Sequence, residues 1–314
     1  MNVRELAKKH GFEACYILPP VSYEDWTRHR NDGAFHHNTG FIKGDMKEAY
    51  PFMNALLLLI FPYAPIAGLE QVSPYYIYSN RAYHAARALE RELRENGAEA
   101  RLADVPLRTV AAGAGIGTVL KNALLAVEGM GSRFIMQALA VRLNEPNYDV
   151  IQPCTLKCEN CKLCERACPS GAIDGDGYHW EKCVRSYMQK SDMPLWAMEG
   201  MSTLLGCERC QACCPLNRDD KGELAREQLE AFDLRRLLEG DYKPCLELIG
   251  KNMKHGANLR VQAAIIAGKQ KRRDLLETLQ NLCKIAPENE VAAYEYAISL
   301  LQESEKQGTI PVPH

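Results

Sequence analysis

Cys158-Glu159-Asn160-Cys161-Lys162-Leu163-Cys164-Glu165-Arg166-Ala167-Cys168-Pro169 spaces its thiols as C-x2-C-x2-C-x3-C-P. A tight loop with that spacing brings three thiolates onto one iron-sulfur cluster and sends the fourth, on the following helical turn, to a neighbouring cluster. Cys183, Cys207, Cys210 and Cys214, the last followed by Pro215, complete a set of eight. Eight thiolates imply two 4Fe–4S clusters. By the same exchange one cluster takes Cys158, Cys161, Cys164 and Cys214, and the other takes Cys168, Cys183, Cys207 and Cys210. Cys213 is an alternative to Cys214, which the following proline favours. Zinc competes, because paired C-x2-C elements also suit a tetrahedral site. Four thiolates suffice for zinc, however, and that leaves the third cysteine and the proline without a reason.

A chain of 314 residues, 46% of them hydrophobic, is long enough for two or three units with real cores. Its net charge of −2 gives no global reason to expect nucleic acid, so local charge has to carry that argument. Thirteen cysteines would suggest disulfides in a secreted protein, but the first residues form no apolar signal core. A cytoplasmic setting with metal-bound thiolates is expected. The longest apolar run, Ala55 to Phe61, is too short to cross a bilayer.

Outward from the cysteines, Asn2 and Glu5 read as a capping box for a short helix ended by Gly11, and Glu13 to Leu18 as a strand. Residues Tyr23 to Tyr50 have no clear period and read as loop and short helix, with His36 and His37 solvated rather than metal-bound. Ala55 to Phe61 fits a strand buried on both faces. After Ser79 a helix places Ala82, Ala86, Leu89 and Leu93 on one face, pairs Glu90 with Arg94 on the other, and ends at Gly97. The alternation is an α/β rhythm. Gly113, Gly115 and Gly117 allow backbone to approach a ligand, and a helix after them could offer free N–H groups to a phosphate. Their spacing fits neither G-x-G-x-x-G nor the P-loop.

Beyond the cysteines the pattern is helical, in amphipathic segments Leu224 to Leu238, Leu259 to Ala267, Leu275 to Ile285 and Val291 to Leu301. Lys251, Lys254, Arg260, Lys269, Lys271, Arg272 and Arg273 form a stretch with no acidic residue inside it. Such a stretch is a candidate phosphate-backbone surface, with a solvated helical face as the alternative. Cys15, Cys245 and Cys283 fall in apolar segments and read as small buried hydrophobes; Cys154, outside the two-cluster scheme, reads as a packing residue or a free thiol.

Several separated motifs agree with one family: the chain resembles the cobalamin-dependent epoxyqueuosine reductases of tRNA modification. They are Phe61-Pro62-Tyr63-Ala64-Pro65, Arg81-Ala82-Tyr83-His84, Gly115-Ile116-Gly117 with Lys121-Asn122, Gly131-Ser132-Arg133-Phe134, the cysteine sets with Pro169-Ser170-Gly171-Ala172-Ile173 and Gly206-Cys207-Glu208-Arg209-Cys210-Gln211, and Leu259 to Ile265. The resemblance implies an α/β cobalamin-binding domain over 1–150, a ferredoxin-like domain with two 4Fe–4S clusters over 151–222, and a HEAT-like helical domain over 223–314 that contacts tRNA. It also implies a monomer that takes electrons from an external low-potential donor and reduces epoxyqueuosine in tRNA to queuosine. Tyr83, Gly115, Gly117, Lys121 and Asn122 become cofactor-wall candidates, and Asp104 the proton donor. The run Leu102 to Arg108 is about two residues shorter than the family's pattern, which leaves Tyr83, Tyr78 or His84 as alternative donors. Two rival readings remain at this stage. One is a cobalamin-dependent reductase of a small molecule, related to reductive dehalogenases. The other is an electron-transfer protein without corrinoid.

Overall fold

The computed structural model describes residues 2–22, 45–158, 160–188, 190, 192–217, 221–250 and 256–307. Most of the loop expected over Tyr23 to Tyr50, with His36 and His37, lies outside the described residues, as do Lys251 and Lys254. The chain divides into two compact units. Met1–Tyr63, Tyr78–Cys161 and Pro215–Arg218 form the first, and Ala64–Ile77, Lys162–Cys214 and Asp219–His314 the second. The cysteine-rich stretch is shared between these units. In the first unit, the Asn217 side-chain oxygen accepts the Ser132 N–H at 2.7 Å and the Ser132 hydroxyl at 3.2 Å, which ties in the segment Pro215–Arg218.

The first unit begins with helix α1 (Val3–Lys9), whose N-terminal N–H groups of Arg4 and Glu5 are accepted by the Asn2 side chain, and Gly11 closes it at φ +87°. Strand β1 (Ala14–Leu18), the short helix α2 (Met46–Ala49) and strand β2 (Ala55–Pro62) follow. Helix α3 (Tyr75–Glu95) leads to β3 (Glu99–Leu102), helix α4 (Leu107–Gly113), a hairpin of β4 (Thr118–Val119) and β5 (Leu125–Ala126), and the long strand β6 (Phe134–Arg142). The sheet order is β1-β2-β6-β3, with every pairing antiparallel. Because β2 and β3 both run opposite to β6, they are parallel to one another, and α3 is the crossover of a split β-α-β unit with β6 inserted in its middle.

The apolar run in β2 serves both faces of this sheet, as its composition required. Ala55, Leu57 and Leu59 pack with α1 and α3 through Ala7, Ala86, Leu89 and Leu93, while Leu56, Leu58 and Ile60 pack with Val110, Ala111, Ile116, Leu125 and Val127. All six β2 side chains are fully buried. The period-2 alternation thus mounts the glycine-rich segment, with α4, on the face away from α1 and α3. Helix α3 starts four residues before Ser79, since Ser73-Pro74 is a start signal in its own right. Glu90 does not lie on a solvated face. Only 3% of its side chain is exposed, and its carboxylate is held by Arg87 at 2.6 Å and Arg94 at 3.0 Å. Replacing both arginines by alanine would strand a buried charge; we expect a loss of about 3 kcal/mol in urea unfolding, and an unchanged midpoint would contradict it.

The second unit carries helix α5 (Leu163–Ala167), the hairpin β7 (Ile173–Asp174) with β8 (Gly177–Tyr178), and two 3-10 turns, Trp180–Lys182 and Val184–Ser186. Short helices α6 (Leu195–Gly200), α7 (Arg209–Ala212), α8 (Arg226–Glu230), α9 (Leu234–Glu239) and α10 (Lys243–Ile249) follow, then α11 (Gly256–Lys269), α12 (Leu276–Ile285) and α13 (Glu288–Gln307). The segment expected as one helix from Leu224 to Leu238 is two, because Asp233 caps a fresh start by accepting the Arg236 N–H at 3.1 Å. Helix α11 is buried at every position from 261 to 268. Its small residues let α13 come close: a Cβ at Gly268 would meet the Ala297 backbone at 2.8 Å. Burial pushes the Cys15 and Cys245 thiols up to about 12, so both stay neutral packing groups.

Candidate iron-sulfur and cofactor site

In the first unit, α4 ends in a paired hydrogen-bond pattern, Ile116 N–H to Ala111 carbonyl and Gly115 N–H to Ala112 carbonyl, both at 3.0 Å, with Gly115 at φ +80°. This is a Schellman closure, and Gly115 is its left-handed residue. A Cβ at Gly115 would come within 3.3 Å of the Pro153 backbone, and one at Gly117 within 2.5 Å of the Ala126 carbonyl oxygen. Both glycines are thus required by the approach of the protein's own chain. The expected order is also reversed: the helix precedes the glycines, and the β4–β5 hairpin follows them. The left-handed residue stops the helix, and Ala123 at φ +61° turns the chain back.

The hairpin tip is Leu120 to Leu124, closed by the Leu120 N–H to the Leu124 carbonyl at 2.8 Å and braced by the Arg108 guanidinium on the Ala123 carbonyl at 2.7 Å. Lys121 donates its backbone N–H to the Cys158 sulfur at 3.4 Å. Asn122 is buried; its side-chain oxygen accepts the Leu124 N–H at 3.3 Å, while its amide nitrogen has no hydrogen-bond partner. A buried donor left unsatisfied costs about 1–3 kcal/mol, so it marks a position that a ligand acceptor would relieve. Cys154 packs along the same segment by backbone alone, its N–H on the Gly115 carbonyl at 3.1 Å and its carbonyl under the Thr118 hydroxyl at 3.3 Å.

Asp104 stands where β3 leaves the sheet. Ala103 N–H still pairs with the Ala138 carbonyl at 2.8 Å, and the buried side chains of Ala103 and Val105 turn that of Asp104 outward. Its N–H donates to the buried Tyr50 hydroxyl at 2.8 Å. The surrounding apolar mass raises the Asp104 carboxyl above the ordinary carboxylate range, and Arg101, whose guanidinium lies 6.0 Å over the Tyr50 ring, opposes the rise. Of the alternative donors, Tyr83 and His84 are exposed on α3 with their rings edge to face at 5.5 Å. Tyr78 is taken up by Arg81 over its ring at 5.1 Å and by the Tyr63 ring at 6.0 Å.

In the second unit, three of the four cysteines assigned to one cluster are near one another. Burial raises the Cys207 thiol first, and the neighbouring charges of Cys183 and Cys168 raise it further. Cys168 also accepts the Ala172 N–H at 3.2 Å. Gly206, at φ +70°, seats this loop against the start of α3, since a Cβ there would meet the Ser73 side chain at 2.7 Å. The Ser73 hydroxyl also donates to Glu208 at 2.7 Å. The Cys213 sulfur lies 3.6 Å from the Cys210 carbonyl oxygen. Cys158 and Cys161 fall in the first unit, and the other ligand candidates in the second. Among the described residues no three His, Cys, Asp or Glu side chains close on a single point as a mononuclear ion requires. A four-iron cluster sets a different requirement, because each thiolate binds its own iron.

The comparisons with known proteins agree with this chemistry. A 4Fe-4S binding domain model matches residues 155–174. The chain is 32% identical over 184 residues to the epoxyqueuosine reductase of Vibrio cholerae, covering 55% of this chain and 46% of that protein. The structure of epoxyqueuosine reductase from Streptococcus thermophilus superposes with a TM-score of 0.72 at 20% identity, over 99% of this chain and 94% of that one. The chain is similar in sequence to epoxyqueuosine reductases and shares their fold. It spans about a third to a half of the length of the first curated relatives it matches. A further epoxyqueuosine reductase structure, with a TM-score of 0.71 at 18% identity over 96% of this chain and 98% of that one, contains a tRNA-Tyr stem loop modified with epoxyqueuosine.

The basic stretch proposed for nucleic acid is not a uniform free surface. The Lys269 ammonium donates to the Glu199 carbonyl and that of Lys271 to the Leu300 carbonyl, each at 2.6 Å. Arg272 is paired with Asp274, the acid that ends the stretch, and holds its carboxyl well below the usual range. Arg260 is half-buried with its guanidinium 5.7 Å over the Tyr242 ring. Arg273 is exposed.

Proposed function

We propose that this chain is an iron-sulfur oxidoreductase that reduces epoxyqueuosine in tRNA to queuosine, with two 4Fe–4S clusters and cobalamin. The observation that carries the reading is the hairpin tip, where Lys121 donates to the Cys158 sulfur and the adjacent residue, Asn122, keeps a buried amide nitrogen without a partner. A cluster ligand and an unfilled polar cofactor wall lie one residue apart. Cobalamin, when bound, supplies low-valent cobalt chemistry for removing the epoxide oxygen. The chain's own residues do the rest. Lys121 and Asn122 hold the cofactor's polar edge, and Tyr83 lies on the exposed face of α3. Gly115 and Gly117 shape the wall behind the hairpin rather than touching the ligand. Asp104 holds a proton for the departing oxygen, and its raised carboxyl favours that protonated form. A catalytic loop swung out of the active site is reported for the Bacillus subtilis enzyme, in keeping with an acid carried on an outward-facing loop.

The helical part, residues 223–314, is read as the HEAT-like tRNA-binding end. Arg273 contributes charge there, whereas Lys269, Lys271 and Arg272 mainly serve the helical packing. Arg273→Ala is expected to weaken tRNA binding by less than tenfold and to lower the salt slope by about one; unchanged binding and slope would remove this residue from the interface. The packing of Gly115 and Gly117 against their own chain favours the electron-transfer reading to one degree only, by removing two supposed contacts. Anaerobic reconstitution with iron, sulfide and cobalamin tests the whole. Corrinoid bands, about eight irons per chain and conversion of epoxyqueuosine-bearing tRNA support the reading. Clusters without corrinoid bands leave an electron carrier instead.

A further inference from the structure

In the first unit the β4–β5 hairpin runs on into a tight turn that receives a later part of the chain. Val127 and Gly131 each donate a backbone N–H to the other's carbonyl at 2.9 Å, and the Met130 N–H also reaches the Val127 carbonyl at 3.1 Å. Gly131 leaves the turn at φ +71°. A Cβ there would overlap the Leu216 carbonyl oxygen and the Asn217 side-chain oxygen and lie 2.9 Å from the Asn217 Cα, so no other residue fits. The next residue, Ser132, is buried, and its N–H and hydroxyl both donate to the Asn217 side-chain oxygen, at 2.7 and 3.2 Å. A buried N–H needs an acceptor, and Asn217 brings one from 85 residues further along the chain. Asn217 follows Cys214 with only Pro215 and Leu216 between them. Three residues span at most about 11 Å, and Pro215 restricts the link further by fixing its own φ. At the hairpin tip of the same segment, Lys121 donates its N–H to the Cys158 sulfur at 3.4 Å. Residues 120–132 therefore hold two of the cysteines assigned to one cluster, Cys158 directly and Cys214 through its tail. Gly131-Ser132 opens one of the motifs in the sequence, and no step of the proposed reduction uses it.

We infer that Asn217 is a positioning residue for the cluster that takes Cys158, Cys161, Cys164 and Cys214: docked on Gly131 and Ser132, it fixes the Cys214 end of the ligand set to the segment whose hairpin tip holds Cys158. The inference rests on the iron-sulfur reading above. Cys158, Cys161 and Cys164 share one tight loop, whereas Cys214 comes 50 residues after Cys164 and has to be brought to the same cluster at a cost in chain entropy. Seating Asn217 leaves a link of three residues, so a Cys214 thiolate that leaves its iron stays at high effective concentration beside it. The effect falls on retention of one cluster, and the Asn217 side-chain oxygen is the atom that carries it.

The test is the anaerobic release of iron from the reconstituted full chain to an excess of iron chelator, followed by visible absorbance, which needs neither substrate nor corrinoid. In Asn217→Ala, about four of eight irons per chain are expected to leave roughly tenfold to a hundredfold faster than in wild type, the range for losing a residue that orients a metal ligand. The other half should keep the wild-type rate. Asn217→Asp, which retains an oxygen acceptor for both Ser132 donors, should release iron near the wild-type rate. In Cys207→Ser, where only the Cys214 cluster is expected to remain, adding Asn217→Ala should speed the loss of all the iron. Equal release in Asn217→Ala and wild type, a rise shared by both halves or confined to the Cys207 cluster, or fast release from Asn217→Asp as well, overturns the inference and leaves the iron-sulfur reading intact. Should Asn217→Ala fail to fold, Ser132→Ala, which removes only the bond at 3.2 Å, decides: a smaller rise confined to the same half supports the inference, and unchanged release overturns it. Wild-type protein that holds no iron and sulfide after reconstitution overturns both, so the two failures are distinguishable.

Discussion

Cys207→Ser is expected to bring the iron content of the reconstituted protein from about eight to about four per chain and to abolish turnover. Cys207 is the candidate whose surroundings are best defined: half-buried, with Cys183 and Cys168 near enough to raise its thiol, on a loop that Gly206 and Tyr76 lock in place. Serine is nearly isosteric but is a poor ligand for iron, so the loss reports the bond rather than the packing. Cys213→Ser and Cys154→Ser are the matching controls. The first removes a thiol beside the Cys210 carbonyl, and the second a residue bound into the glycine segment through its backbone. Both should keep full iron. Full iron in Cys207→Ser, or zinc in the wild-type protein, would refute the two-cluster assignment.

The sequence was most informative where one residue type has a single physical role. Eight cysteines at cluster spacing, the apolar run of β2 and the Asn2 cap each admit few alternatives, and the structure places the strand and the cap as read. It was least informative where the same residue serves two purposes. Gly115 and Gly117 read equally as a ligand site or as a packing device, because glycine permits close approach without saying what approaches; Pro153 and Ala126 stand at their Cβ positions. The hairpin after them was missed because Thr118-Val119 and Leu125-Ala126 are too short to show alternation, and the signal that could have found it is Lys121-Asn122 as a turn. Helix α10 was overlooked for a similar reason, being a single short apolar segment that begins at Lys243-Pro244. The basic stretch looked continuous because sequence does not show where a long side chain ends; Lys269 and Lys271 place their ammonium groups on carbonyls far away along the chain.

Asp104→Asn is expected to slow reduction of the substrate by a factor of about 10²–10⁴, the usual contribution of a general acid, while iron content and cluster signals stay at wild-type levels. Asparagine preserves the shape of the side chain and leaves the backbone N–H on the Tyr50 hydroxyl, so the loss isolates the proton. The pH profile gives the sharper check. An acid donates only while protonated, so kcat falls as pH rises through the folded-state pKa of Asp104. Burial raises that pKa and extends the active window upward, whereas Arg101 favours the carboxylate and holds the window down. Arg101→Gln should therefore move the decline to higher pH, and in Asp104→Asn the decline should vanish. A change in kcat from Arg101→Gln with no movement of the profile would make the arginine a structural support for the Tyr50 ring and nothing more. A profile in Asp104→Asn that still falls at the wild-type position would transfer the proton to another group, and the exposed Tyr83–His84 pair on α3 is the next to substitute.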